Sequence, residues 1–457
     1  MLPQIEHIVI VMMENHSFDN YFGMLGRGDG FMLGADGLPT NTNPIGDGRL
    51  VRAFPMPTPC QDQAHVSQNW NSSHRQVNGG AMDGFVRTSG PAAMGYWDSS
   101  AIPYYWGLAA QFPIADRYFA SCPAQTYPNR RFLQAATANG LISTDTSSIT
   151  DPLPPNGLIW DRLDAHGISY ADFFVDLPEL GLWVDSFTKR PTRSLPVATF
   201  LALAALGTLP QVSLVSPDFE EASEENPQDI QLGELFASTI INAAMHGLAW
   251  DRTLLVFTYD EHGGYYDHVV PPAAIAPDGV PPRTNPGDEP GGYDIYGMRL
   301  PMVLVSPYAK ANYVSHVVHD HTSILRLIET KWNLGAMTYR DANASNLLDM
   351  VDFASPPAFA EPPSLPLPGA VSAPSTCRLT GSPALPPADA IIGTADPAAP
   401  PVDVTVVAHA EPGSAANAAA AAKGMLPATG GTNELALAAG AAAAALVLRN
   451  AARRAGD

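Results

Sequence analysis

The stretch Thr258-Tyr259-Asp260-Glu261-His262-Gly263-Gly264-Tyr265-Tyr266-Asp267-His268 constrains this chain most, because it directly follows the apolar run Leu254-Leu255-Val256-Phe257. The run reads as a buried strand. Asp260 and Glu261 stand where that strand would end, with His262, Asp267 and His268 behind them. Open α/β folds keep their functional groups at this place, outside the carboxyl ends of the strands. Adjacent carboxylates crowded there repel one another unless a cation lies between them. The pattern points to a metal-dependent enzyme.

The 457 residues suffice for one large or two ordinary domains. A net charge of −21 argues against nucleic acid or an anionic membrane as a standing partner. Cys60, Cys122 and Cys377 show neither CxxC spacing nor a dense disulfide framework; a Cys60–Cys122 bridge and free thiols are both open readings.

Apolar runs at 7–13, 212–215, 253–259 and 300–305 end in polar or Gly/Pro punctuation. Helical patterns lie between and after them, over Gly233 to Trp250 and His321 to Leu334. Short β-rich runs alternating with helices predict an α/β fold, a mainly parallel central sheet with helices on both faces. The Pro/Gly/Asp-rich segment 271–296 is too long for an ordinary connection and reads as a surface excursion or a rim of the site. The catalytic domain is expected over 1–354, followed by a Pro/Ala-rich linker over 355–425, with a short strand around Val402 to Val407.

A second motif, Glu14-Asn15-His16-Ser17-Phe18-Asp19, closes the first strand. A Glu carboxylate and an Asn amide oxygen are hard donors suited to a divalent cation. Alone, the hexapeptide reads equally as a polar turn in which Asn15 or Ser17 caps a helix. The third motif is Thr126-Tyr127-Pro128-Asn129-Arg130-Arg131. Pro128 fits the first turn of a helix and Gly140 its stop, which puts Thr126 at or beside the N-cap. A hydroxyl at that positive end, next to a cation, is placed to attack phosphorus, and Arg130 to clamp the phosphoryl oxygens. The plain alternative is an ordinary Thr cap with solvated arginines. His65, His268 and His321 are the remaining histidines of interest, although Asp320 or Thr322 has a simpler role as a helix cap. Tyr96, Trp97, Tyr104, Tyr105 and Trp106 could line a lipid groove, but such clusters are more often core.

Together these motifs, in order over roughly residues 4–350, resemble the phosphoesterase family of bacterial and non-specific phospholipases C and related acid phosphatases. Ile5-Glu6-His7-Ile8-Val9, Gly297-x-Arg299-x-Pro301 with Ser306-Pro307, and Asp320-His321-Thr322-Ser323-Ile324-Leu325 complete the match. The resemblance implies an alkaline-phosphatase-like fold hydrolysing phosphate esters or phospholipids through a phospho-threonine on Thr126. It implies Glu14, Asn15, Asp260 and Glu261 as ligands of a divalent metal, and His65, His268 and His321 as phosphate contacts or leaving-group acid. Glu225-Asn226-Pro227 departs from it, standing where many relatives carry a His before the Pro. An acid phosphatase acting on soluble monoesters is the alternative, and an inactive wall-displayed adhesin the alternative from another class.

At the C-terminus, Leu426-Pro427-Ala428-Thr429-Gly430 precedes an apolar run from Leu435 to Leu448 and then Arg449, Arg453 and Arg454. The run is short for a membrane span. Residues 426–457 resemble a sorting signal that sortase cleaves after Thr429, which implies a secreted, cell-wall-anchored protein with no stable membrane span in its mature form. Against this, the sequence as written begins without a recognisable signal peptide. An alanine-rich tail containing the pentapeptide by chance is the other reading.

Overall fold

Seven consecutive residues, His7–Met13, form strand β1, and every one of them is buried. Such a strand needs cover on both faces and a partner on both edges. The structure, a computed structural model, describes residues 2–61, 66–370 and 385–395. In it β1 lies inside an eight-stranded sheet with β2 (Ile114–Ala115), β3 (Tyr170–Phe174), β4 (Ser194–Pro196), β5 (Val212–Val215), β6 (Thr253–Tyr259), β7 (Met302–Val305) and β8 (Val314–Ser315), in the order β8-β2-β7-β6-β1-β5-β3-β4. Only β7 runs against the others; it pairs antiparallel with β6 and β2. The mainly parallel sheet is as expected, and three of the four apolar runs match strands residue for residue. The fourth starts at Met302 instead of residue 300.

Five helices matter for the site: α1 (Phe18–Phe22), α2 (Trp70–Val77), α3 (Thr126–Ala135), α4 (Ile230–Met245) and α5 (His321–Trp332). The Asp229 side chain accepts from the Gln231 N–H, so α4 starts ahead of the expected Gly233. Asp320 caps α5. Helix α3 opens at Thr126 with Pro128 in its first turn, but it stops earlier than expected. Ala136 takes the left-handed conformation (φ 56°) and closes it, so Gly140 is not its stop. Helix α4 packs on β1 and β6, and α5 packs on α3.

The aromatic cluster belongs to the core. Tyr96, Trp97, Tyr104 and Tyr105 are buried, and the Trp106 indole N–H donates to the Tyr21 carbonyl at 3.0 Å. The lipid-groove reading of these rings is therefore corrected. Segment 271–296 is a strap across α2 and the loop after α3: the Trp70 indole donates to the Glu289 carbonyl (2.8 Å), Arg283 N–H to Gly140 (2.8 Å), and the Tyr293 hydroxyl to Leu141 (2.6 Å). Cys60 is in a disulfide while Cys122 is a buried free thiol, so the two are not bonded to each other. Among the described residues no helix is long and apolar enough to cross a membrane.

The described parts of the Pro/Ala-rich stretch lie against the domain instead of leaving it at residue 355. The Phe359 ring sits 4.4 Å from that of Phe112, and its carbonyl accepts from the Trp250 indole at 2.9 Å. Gly369 N–H donates to Glu234 (2.7 Å), and Ile391–Ile392 pairs antiparallel with Leu50 and Val51. Residues 62–65, 371–384 and 396–457, which include His65, the expected strand near Val402 and the sorting signal, lie outside the described residues. Phe359→Ala should destabilise the protein by about 3–5 kcal/mol through the cavity it leaves. Urea unfolding checks this, and an unchanged midpoint would mean that the stretch contributes nothing to the core.

Candidate functional site

The site begins with a register. In the parallel pair β1–β6, Met13 is the partner of Tyr259. Glu14-Asn15 and Asp260-Glu261 therefore leave adjacent strands at one level, although 245 residues separate them. Asn15 turns the chain with a left-handed backbone (φ 74°), and its N–H donates to Asp260 Oδ1 at 3.3 Å. Glu261 N–H donates to the same oxygen at 2.7 Å. Gly263 (φ 67°) packs so closely that a Cβ there would stand 2.0 Å from the Asn15 carbonyl oxygen; only glycine fits.

Glu14, Asp260 and Glu261 are all buried, at 3%, 0% and 0% exposure. Arg130, one turn beyond Thr126 on the same face of α3, reaches in among them. Its Nε donates to Asp260 Oδ2 (2.9 Å), it pairs with Glu179, its Nη2 donates to the Met13 carbonyl (3.2 Å), and Glu14 lies at 3.9 Å. One guanidinium thus faces a group of four carboxylates. Burial raises the Asp260 pKa to about 6 in spite of Arg130. Burial, then the charges of Asp260, Glu14 and Glu225, hold Glu261 well above the ordinary carboxylate range. Two acceptor oxygens here, Asn15 Oδ1 and Glu261 Oε1, are buried without any hydrogen-bond partner. Buried acceptors lacking donors, beside surplus negative charge, are what a hard divalent cation satisfies, so the residues present fit one.

A second cluster looks superficially similar and differs in charge. Ligand atoms of Asp19, Asp267 and His268 lie within 4.8 Å of one another. Arg299 already fills this group: its Nε donates to Asp267 Oδ1 (2.8 Å) and its Nη2 to Asp19 Oδ1 (3.0 Å). His268 Nδ1 lies 2.7 Å from Asp19 Oδ2, and its Nε2 3.3 Å from Asp29 Oδ1. Burial alone would lower the His268 pKa, but the hydrogen bond and charge of Asp19, with Asp267, outweigh it and raise the value to about 9. With cationic Arg299 and His268 against these carboxylates, this cluster has its own counter-charges. The Glu14–Glu261 group has Arg130 alone for its carboxylates.

His321 is held differently. Its Nε2 donates to the Asp260 carbonyl (2.7 Å), and Nδ1 is 3.0 Å from the Tyr118 hydroxyl. Burial lowers its pKa to about 4, so it is neutral and pins the Asp260 backbone. Thr126, 7% exposed, is the first residue of α3, after the N-cap Gln125. Asn129 braces the loop before it: Oδ1 accepts from Cys122 N–H (3.1 Å), and Nδ2 donates to the Ala124 carbonyl (2.8 Å). Of the predicted residues, Glu14, Asn15, Asp260, Glu261 and Arg130 come together. His321 touches that group from behind, and His268 sits in the neighbouring cluster. Glu179 was missed; it opens a single 3-10 turn, Glu179–Leu182, too short for any local pattern to mark it. Arg299 and Asp19 stood within quoted motifs, but their pairing is visible only in three dimensions.

The folded state favours protonated His268, whose pKa of about 9 exceeds the ordinary 6.5. Its contribution to stability is thus full below about pH 6.5 and lost as pH rises through about 9. His268→Gln should flatten the pH dependence of stability in that window. Parallel slopes for the two proteins in denaturation series across it would contradict the assignment.

A family model, that of the Phosphoesterase family, matches residues 5–335. Phospholipase C A of Mycobacterium tuberculosis is 29% identical over 89% of this chain and 86% of that protein. Non-specific phospholipase C6 of Arabidopsis thaliana is 29% identical over 79% and 75%. Non-hemolytic phospholipase C of Pseudomonas aeruginosa is 27% identical over 78% of this chain and 58% of that protein. Among solved structures, a protein in the alkaline phosphatase superfamily from Vibrio parahaemolyticus aligns with a TM-score of 0.35 and 12% identity over 70% of this chain and 76% of that one. A likeness that distant adds nothing to the assignment, which rests on the sequence match over most of the folded domain. The chain belongs to the Phosphoesterase family and is a phosphoester hydrolase.

Proposed function

We propose that the chain is a divalent-metal-dependent phosphoric ester hydrolase that cleaves phospholipids in the manner of a phospholipase C, by way of a phospho-threonine at Thr126. The observation that carries the reading is the pair of unpartnered buried oxygens, Asn15 Oδ1 and Glu261 Oε1, beside carboxylates that one guanidinium leaves under-neutralised. Glu14, Asn15, Asp260 and Glu261 would hold the cation. A cation bound there would lower the pKa of the Thr126 hydroxyl and screen the charge that repels it from a phosphate.

Thr126 Oγ, at the N-terminus of α3, loses its proton to solvent and forms a bond to phosphorus as the bond to the leaving alcohol breaks. His268, held cationic by Asp19 through Nδ1, gives the leaving oxygen its Nε2 proton, the leaving oxygen taking the place of Asp29, whose contact at 3.3 Å is the longer of the two. Water then attacks the phosphorus, gives one proton back to His268 and breaks the bond to Thr126 Oγ, which takes up a proton from solvent. Arg130 and His321 enter as the groups that hold Asp260, because the guanidinium and both ring nitrogens are already engaged by protein. With a phospholipid the products are diacylglycerol and a phosphorylated headgroup; with a monoester, the alternative substrate, the product is inorganic phosphate. His65 remains a candidate phosphate contact.

The proposal extends to location. Export, sortase cleavage after Thr429 and wall anchoring account for the order of pentapeptide, apolar run and terminal arginines. Fractionation of host cells with an antibody to residues 1–354 tests it, and recovery wholly in the cytosol with the C-terminus intact would overturn it.

Thr126→Ala should lower kcat on phosphatidylcholine or p-nitrophenyl phosphate by roughly 10³-fold or more with the fold retained, whereas Thr126→Ser keeps part of it. Near-normal turnover by the alanine variant removes Thr126 from the mechanism. A chelator should abolish activity on both substrates, and a restored divalent cation should return it in the wild type but not in Asp260→Ala. Full activity after exhaustive chelation would refute metal dependence. The ratio of the two rates separates phospholipase from acid phosphatase.

A further inference from the structure

Behind the Glu14–Asn15 turn lies a carboxylate that this reaction does not use. Glu224 is fully buried, and three tyrosine hydroxyls donate to it: Tyr105 to Oε1 at 2.5 Å, and Tyr21 and Tyr259 to Oε2 at 2.6 and 2.9 Å. Gly233 of α4 makes room for it, since a Cβ there would stand 2.1 Å from Glu224 Cγ.

The same residue ties together the segments that carry the proposed ligands. Its carbonyl accepts from His16 Nε2 (3.1 Å), next to Asn15, and from Gln61 Nε2 (2.7 Å). The carbonyl of Ser223 accepts from Glu14 N–H at 3.0 Å. Tyr259, one of the three donors, directly precedes Asp260, and Tyr21 stacks on His16 with ring centroids 4.1 Å apart. Glu224 also has a left-handed backbone (φ 75°), as Asn15 does (φ 74°). Strained non-glycine backbone persists where its surroundings over-determine it, and here two such residues flank one hydrogen bond.

We propose that Glu224 is a positioning residue for the cation site, fixing the turn 14–16 against the strand end 259–261 and so setting the spacing of the four ligands. The inference rests on the reading of Glu14, Asn15, Asp260 and Glu261 as cation ligands. A carboxylate that merely filled the core would affect stability and leave cation affinity in the folded protein unchanged.

Calorimetric titration of the full chain with Mn²⁺, referenced to Asp260→Ala, separates the two. Glu224→Ala should bind Mn²⁺ at least tenfold more weakly with an unchanged far-ultraviolet circular dichroism spectrum. Glu224→Gln keeps the shape and an acceptor for two of the tyrosines, while its amide can donate to the third, so it should stay within about threefold of the wild type. Wild-type affinity in Glu224→Ala overturns the proposal, and so does equal weakening in Glu224→Gln, which would mean that charge and not position matters. Should Glu224→Ala not fold, Tyr105→Phe takes its place: an affinity loss of threefold or more is expected, and none overturns the proposal. A wild type that binds no Mn²⁺ sinks the cation reading itself, a result distinct from variants that bind as well as the wild type.

Discussion

The parallel pairing of β1 with β6 is the constraint on which everything else depends. Both strands are buried over all seven residues, so a slip of one position would turn every side chain to the opposite face. With Met13 opposite Tyr259, the next residues of each strand emerge at one height. Polar groups that would be ruinous inside the sheet become neighbours just outside it. The two left-handed residues and the two glycines after His262 hold those groups closer than an ordinary turn permits.

Charge then distinguishes two clusters built from similar residues. Around Arg299 the carboxylates of Asp19 and Asp267 meet a guanidinium and a cationic imidazole, and the group is close to balanced. Around Arg130, Glu14, Glu179, Asp260 and Glu261 share a single guanidinium, and two acceptor oxygens have no donor. Removing a carboxylate from the first cluster leaves a cation unpaired. Removing one from the second relieves repulsion while taking away a prospective ligand. The two clusters should therefore respond oppositely in stability to substitution.

Much of this was legible in the sequence because long apolar runs with polar ends leave little freedom. The runs at 7–13, 212–215 and 253–259 became strands with the same bounds, and the carboxylates after them fell where the runs ended. The two-residue strands β2 and β8 carry too few residues for periodicity to register. The antiparallel direction of β7 depends on how the chain returns, which no local pattern encodes. Arg130 reads in sequence as a phosphate clamp; its engagement by Asp260 and Glu179 depends on residues 130 and 49 positions away. The Pro-rich stretch after 355 reads in sequence as unable to form a core of its own, and its described parts pack on the domain. It adds Phe359 and Ala390 to cores made by others.

The position of β1 has a consequence for how the chain acquires its shape. β1 is an interior strand, yet its partners, residues 212–215 and 253–259, are made long after it. At ordinary rates of synthesis, roughly 10–50 s separates the emergence of β1 from that of β6. Until residues 212–215 emerge this apolar segment has nothing native to pair with, and its second edge stays open until β6 follows. The turn at Glu14-Asn15 therefore lacks the strand end that faces it, Asp260-Glu261, until β6 has been made, and the two halves of the site meet only when β6 closes on β1.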